Sequence, residues 1–220
     1  MKKTLIPALL ASALLASLPS LSFAQPTQAA AAATQSAAGK TVLDASSRIL
    51  ATLQQRRAEF SKNPAALRSY IDSELNRTFD RDYAARLVLG ANARGASDAD
   101  VKLFADAMAD NLMQRYGSAL LTIQGNPTFR FKGEAPLPGN RGVKVSTELV
   151  RSGSETTPVE YMMRNVNGQW KIFDVTIEGI SYVQTFRTQF DAPLRQKGIK
   201  QVAADLRSGS MQAGPAGNGK

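Results

Sequence analysis

The segment NGQWKIFDVTIEGIS, Asn167–Ser181, carries Asp174 and Glu178 on one side of an alternating apolar run. Paired carboxylates are the usual means of acid–base work in a site without histidine. Four residues along a strand separate two side chains by about 13 Å from the rise alone. Glycosidase pairs work at about 5–9.5 Å. An acid–base partnership between Asp174 and Glu178 is therefore not expected. The plainer reading has Asp174 accepting a hydrogen bond from Tyr161 or an arginine, and Glu178 serving at a strand end. The chain has no histidine and no cysteine. That removes Ser-His-Asp and Cys-His triads and the Cys/His zinc sites. Oxygen-ligand metal sites stay open chemically, but no Asp-rich loop has EF-hand spacing. The tyrosines, Tyr70, Tyr83, Tyr116, Tyr161 and Tyr182, could punctuate an apolar site or simply pack at its rim.

The elements that must position these residues fall into two halves. The first half reads as helices. Thr41 to Phe60 has Val42, Ile49, Leu50 and Leu53 at helical spacing. Asn63-Pro64 is an N-cap with proline at the first helical position, ahead of Leu67, Tyr70, Ile71 and Leu75. A shorter helix spans Arg81 to Leu89 and stops at Gly90. Ser97 and the acids behind it open a long helix with Val101, Phe104, Met108, Leu112, Tyr116, Leu120 and Ile123 on one stripe, ended by Asn126-Pro127.

The second half reads as a four-stranded antiparallel meander. Its strands are Thr128–Lys132, Val143–Arg151, the alternating run through Val159, Tyr161 and Met163, and the run after Asn167-Gly168. A two-residue type I′ turn at Asn167-Gly168 predicts the register: Asn165 opposite Trp170, Met163 opposite Ile172, Tyr161 opposite Asp174, and Met162 opposite Phe173. One face then holds Val159, Tyr161, Met163, Trp170 and Ile172. The other holds Met162, Phe173, Val175 and Ile177. A sheet apolar on both faces must be covered on both, or curl around something. A last helix begins at Ser181 or Tyr182 and is broken by Gly198, before a helical piece from Ile199 to Leu206. Helices followed by a meander make an α+β domain.

The ends differ in composition. Lys2-Lys3, the 14-residue apolar run Leu5–Leu18 and Ser22-Phe23-Ala24 read as a secretory signal peptide, residues 1–24, cut after Ala24. The run is short of the roughly 20 residues needed to span a bilayer. Residues 25–40 read as a flexible Ala-rich leader, 41–207 as the folded domain and 208–220 as a disordered Gly/Ser-rich tail. The formal charge is +9, two less once Lys2 and Lys3 leave. It is scattered, with Arg56-Arg57 the only adjacent basic pair beyond residue 24. No basic stripe interleaves with aromatics, so nucleic-acid binding is not expected.

Several blocks carry a resemblance: NPAALRSYIDSEL (Asn63–Leu75), DYAARLVLG (Asp82–Gly90), FADAMADNLMQRYGSAL (Phe104–Leu120), Trp170…Asp174…Glu178-Gly179-Ile180-Ser181, and the run from Phe190 to Ile199. In this order the sequence resembles the MlaC family, periplasmic phospholipid carriers of the Mla pathway, also called the toluene-tolerance or organic-solvent-resistance family. The resemblance covers roughly Thr41 to Arg207 and leaves out the leader and tail. It implies a mixed helix–sheet domain, loosely NTF2-like, with a deep apolar cavity for both acyl chains of a phospholipid and the head group near solvent. It implies a periplasmic carrier that is no enzyme, has no resident cofactor and holds lipid as cargo. Its partners would be an outer-membrane lipoprotein–porin complex and an inner-membrane ABC transporter with an MCE-domain subunit, and its role the maintenance of outer-membrane lipid asymmetry.

Physical chemistry sharpens that implication. Each methylene left in water costs about 0.8 kcal/mol, so a chain of roughly 16 carbons is worth on the order of 12 kcal/mol. A carrier must enclose nearly all of it. The lining expected on this reading is Phe104, Met108, Leu112 and Tyr116 from the long helix, with Met162, Phe173, Val175 and Ile177 from the sheet. Two other readings stand beside it: an enzyme on a similar fold using Asp174 or Tyr161 in an apolar pocket, and an exported adaptor that binds proteins and no ligand.

Overall fold

Local capping signals set the helices. The computed structural model describes residues 36–214 apart from 124, 152 and 154. The expected signal peptide, residues 25–35 of the leader and residues 215–220 of the tail lie outside the described residues. Ser36 accepts a hydrogen bond from the Gly39 amide and opens α1, Ala37–Gln55. Arg56 interrupts the helical run at φ −103°, so the expected single helix to Phe60 is two, with α2 at Arg57–Lys62. Asn63 caps α3, Pro64–Thr78, through the Ala66 amide at 3.1 Å. Asp80 caps α4, Arg81–Leu89, which ends at Gly90 with φ 56°. Ser97 caps α5, Asp98–Leu120. Ser181 caps α6, Tyr182–Ser208, whose backbone leaves the helical region at Gly198.

Between α5 and α6 runs an antiparallel meander in sequential order: β1 Thr128–Pro136, β2 Val143–Val150, β3 Thr157–Val166, β4 Gln169–Ile177 and β5 Ile180–Ser181. Asn167 and Gly168 take the positive φ of a type I′ turn, as their types require. Glu178 (φ 51°) and Gly179 (φ 80°) repeat that pattern and add the two-residue β5, a fifth strand absent from the sequence reading.

The register departs from expectation at one residue. Asn165 faces Trp170 and Met163 faces Ile172, as the turn dictates. Then the ladder slips: Met162 faces Asp174 and Tyr161 faces Val175. Phe173 is the extra residue of a bulge. A bulge reverses the alternation beyond it, so Val175 and Ile177 join the face of Val159, Tyr161, Met163 and Ile172. The expectation of a sheet apolar on both faces is thereby corrected. The inner face packs on Ala38 and Val42 of α1. The outer face carries Lys144–Glu160 at 2.7 Å and Lys132–Glu148 at 3.1 Å, the one-sided pattern of an antiparallel sheet facing water.

The folded region is wider than residues 41–207. Ala38 and Gly39, placed in the leader from composition, are buried. A Cβ at Gly39 would lie 2.7 Å from a Phe131 ring carbon, so glycine is what lets α1 approach β1 this closely. At the other end, residues 211–213 turn back onto α5. Buried Asn111 donates to the Leu206 and Met211 carbonyls at 2.7 and 3.0 Å and accepts from the Ala213 amide at 2.8 Å. Two further clusters complete the interior. One joins α4, α5 and α6 around Phe104 and Phe190. The other joins Leu53, Phe60 and Leu67, with Tyr70 stacked on Phe60.

Candidate functional site

The helices α3, α4, α5 and α6 do not close on β4. They leave a cavity of about 510 Å³, within the roughly 300–1,000 Å³ of small-molecule sites. Among the described residues, only Asp72, Arg81 and Asp174 bring charge to its lining. The rest is aliphatic, aromatic or sulfur-bearing: Ile71 and Leu75 from α3, Val88 from α4, Met108, Leu112 and Met113 from α5, Tyr182, Val183 and Phe186 from α6. Small residues create the space. Ala84 and Ala85 of α4 and Ala105, Ala109 and Gly117 of α5 stand where larger side chains would fill it.

The three charged residues are engaged locally. Asp174 accepts from the Ser181 hydroxyl at 2.6 Å and from the Val183 amide at 3.0 Å. It therefore ties β4 to the first turn of α6, where a carboxylate also complements the helix dipole. Tyr161 and arginine, its expected donors, are not among these partners, because the bulge turns Tyr161 to the other face. Arg81 donates to Asn76 Oδ1 at 2.9 Å and to Asp106 Oδ1 at 3.1 Å. Asp72 sits 3.7 Å from Arg68. Tyr161 lies outside the lining. Burial pushes its phenol above the ordinary range, while hydrogen bonds to Ser46 and Thr147 act the other way. Among the described residues, no cluster of acids could hold a metal ion.

The structure brings six of the eight expected lining residues to this cavity: Met108, Leu112, Tyr116, Phe173, Val175 and Ile177. Two lie elsewhere. Phe104 is fully buried against Phe190, edge to face at 5.8 Å, because it sits where α5 packs directly on α6. Met162 sits across from Asp174, on the sheet face opposite Tyr161, because β3 alternates without interruption and the bulge lies in β4. Phe173 reaches the cavity through that bulge and packs edge-on to Tyr83 at 5.2 Å. Sequence reasoning missed the α3, α4 and α6 walls and all the small residues. The sequence does carry a signal for Ala105 and Ala109: both share the α5 face of Met108 and Leu112 at helical spacing.

Known proteins match this chain over most of its length. The toluene tolerance protein ttg2D of Pseudomonas putida is 26% identical over 156 residues, 70% of this chain and 71% of that protein. The intermembrane phospholipid transport system binding protein MlaC of Haemophilus influenzae is 20% identical over 171 residues, 76% of this chain and 79% of its own. A solved phospholipid-binding protein from Ralstonia solanacearum, in complex with a phospholipid, has the same fold, with a TM-score of 0.70 at 20% identity over 79% of this chain and 98% of that one. The family profile described as MlaC protein matches residues 43–208. That span holds every residue that lines the cavity, and the chain belongs to the MlaC family.

Proposed function

We propose that the chain is a phospholipid carrier without catalysis, holding acyl chains in the cavity between α3, α4, α5, α6 and β4. The observation that carries this reading is the lining. A space of about 510 Å³ with three charged residues, each already partnered, suits hydrocarbon and offers little to a polar substrate. Met108 and Met113 add side chains that adapt to a flexible chain. Each enclosed methylene contributes about 0.8 kcal/mol. The names of the relatives, one a binding protein of an intermembrane phospholipid transport system and one bound to a phospholipid, support the same cargo.

On this reading the mature protein starts behind Ala24 and works in the periplasm. It shuttles lipid between an outer-membrane lipoprotein–porin complex and an inner-membrane ABC transporter with an MCE-domain subunit, and so maintains outer-membrane asymmetry. The test is native mass spectrometry of protein purified from its own periplasm, followed by lipid extraction. A one-to-one adduct of two-chain phospholipid mass, lost on solvent extraction, is the expected result. Protein of bare mass that also takes no lipid from vesicles would overturn the reading.

A further inference from the structure

A second hollow, of about 350 Å³, lies against one wall of the apolar cavity. The two share Phe79 and Arg81, and their linings are opposite in kind. The second hollow gathers the cations Arg81, Lys102, Arg164 and Lys171 with the acids Asp80, Asp82 and Asp106. A charged surface thus adjoins the apolar one at Phe79 and Arg81.

The ion pairs in this hollow leave hydrogen-bond donors over. Arg81 directs one N–H to Asn76 and one to Asp106, out of the five a guanidinium carries. Lys102 gives one of its three to Asp106 Oδ2 at 2.9 Å, and its side chain is 66% exposed. Asp106 thus serves two cations at once. Arg164 donates through Nε to Asp80 at 2.6 Å and lies 4.1 Å over the Tyr83 ring, which holds it in place. Lys171 turns to the Arg77 carbonyl at 2.5 Å. Four cations against three carboxylates leave an excess of positive charge. The fitting ligand is a compact anion with several acceptor oxygens, able to add bonds to Arg81 and Lys102 without removing Asp106.

We infer that this hollow seats the phosphodiester of the molecule whose tails fill the apolar cavity, with Arg81 and Lys102 as its principal donors. The inference rests on the carrier reading. Free inorganic phosphate presents the same oxygens, so the test must separate the two sources.

The full chain and its Lys102→Glu and Arg81→Gln variants are incubated with vesicles of phosphatidylethanolamine and phosphatidylglycerol doped with diacylglycerol of the same chains. Bound phospholipid and diacylglycerol are then counted by mass spectrometry. Lys102→Glu is expected to lower phospholipid retention at least tenfold, because it removes one charge-assisted bond and sets a carboxylate against the phosphate, while diacylglycerol retention holds. Lys102→Arg restores it. Arg81→Gln should act at least as strongly; because Arg81 also ties α4 to α5, the exposed Lys102 decides if that variant unfolds. Unchanged phospholipid retention in Lys102→Glu overturns the assignment and leaves the carrier reading intact. Equal loss of both lipids overturns it as well, since Lys102 would then support the cavity. Wild-type protein that takes neither lipid removes the carrier reading and this inference with it. If inorganic phosphate then still shifts the Lys102 side-chain NMR signal, the hollow is a free-phosphate site.

Discussion

Along α5, two neighbouring regions bury apolar side chains in opposite ways. Val101 and Phe104 point into α6 and are fully buried, with Phe104 edge-on to Phe190 and Phe186 stacked beyond it. One to three turns later Met108, Leu112 and Tyr116 continue the same stripe but face the cavity, and Tyr116 is 37% exposed. The spacing, three or four residues, is helical in both regions. What differs is the size of what stands around them. Large residues meet large ones in the upper part. In the lower part the neighbours on the same face are Ala105, Ala109 and Gly117, and across the gap are Ala84 and Ala85. Large against large makes a dry core. Large against small makes a container.

The sharpest way to break this comparison is to truncate one residue on each side. Phe104→Ala is expected to cost about 3–5 kcal/mol in urea unfolding, since it opens a void in close-packed surroundings. Leu112→Ala in delipidated protein should cost less than half of that, because part of its surface already faces open space. It should cost more once lipid is bound. Equal losses in the lipid-free protein would mean that the lower region packs like the upper one.

Filling the container is the converse. Ala109→Leu adds three carbons to the cavity wall. A well-packed core resists such insertion by about 1–3 kcal/mol. Here the lipid-free protein is expected to keep its stability or gain slightly, while lipid affinity falls by about 2 kcal/mol, near the worth of the methylenes displaced. The measurements are a thermal melt and transfer from vesicles. A variant that unfolds but still binds lipid would place Ala109 in the dry core.

How much of this contrast is legible in the sequence depends on whether it is written by residues present or by residues missing. Helix ends are written by residues present. Asn63-Pro64, Asp80, Gly90 and Ser97 mark α3, α4 and α5, and α4 falls on Arg81–Leu89 as read. Asn167-Gly168 fixes the hairpin for the same reason. The cavity is defined by side chains too small to fill it, and a periodic apolar stripe does not distinguish that from a core. The bulge at Phe173 is less legible still. Beside it, Asp80 donates its amide to the Ile172 carbonyl and Phe79 bridges to Ile172, a contact between residues more than ninety positions apart. Nothing in the alternation of β4 encodes it. It nevertheless moves Val175 and Ile177 to the other face and so parts them from Met162. Asn111 is similar: one amide in an apolar stripe gave no sign that it docks the chain beyond Gly209.

A smaller effect tests whether the charged lining belongs to the container or to the frame. Asp174 touches the cavity, yet both of its carboxylate oxygens cap α6. Asp174→Asn keeps one acceptor and turns an amide toward Ser181. A loss of about 1 kcal/mol, the usual worth of a cap, is expected in urea, with lipid content unchanged by mass spectrometry. Lipid lost at constant stability would move Asp174 from the frame to the cargo.

The smallest effect lies on the far face of the sheet. Glu148 accepts from Arg130 Nε at 3.1 Å and pairs with Lys132 at 3.1 Å. The Arg130 hydrogen bond, then that of Lys132, hold its carboxyl below the ordinary glutamate value of 4.5. A carboxylate whose folded-state pKa is depressed contributes stability above its unfolded-state value and loses that contribution as pH falls through the folded-state value. The window is therefore acidic, below about pH 4.5. Its partners Arg130 and Lys132 are exposed, so salt screens the pairs and the contribution is slight. Glu148→Gln should flatten the acid limb of a stability–pH curve a little at low salt and not at high salt, and leave lipid content untouched throughout. If the variant instead changed lipid retention near neutral pH, the two faces of the sheet would be coupled, and the separation of frame from container drawn along α5 would not extend to the sheet.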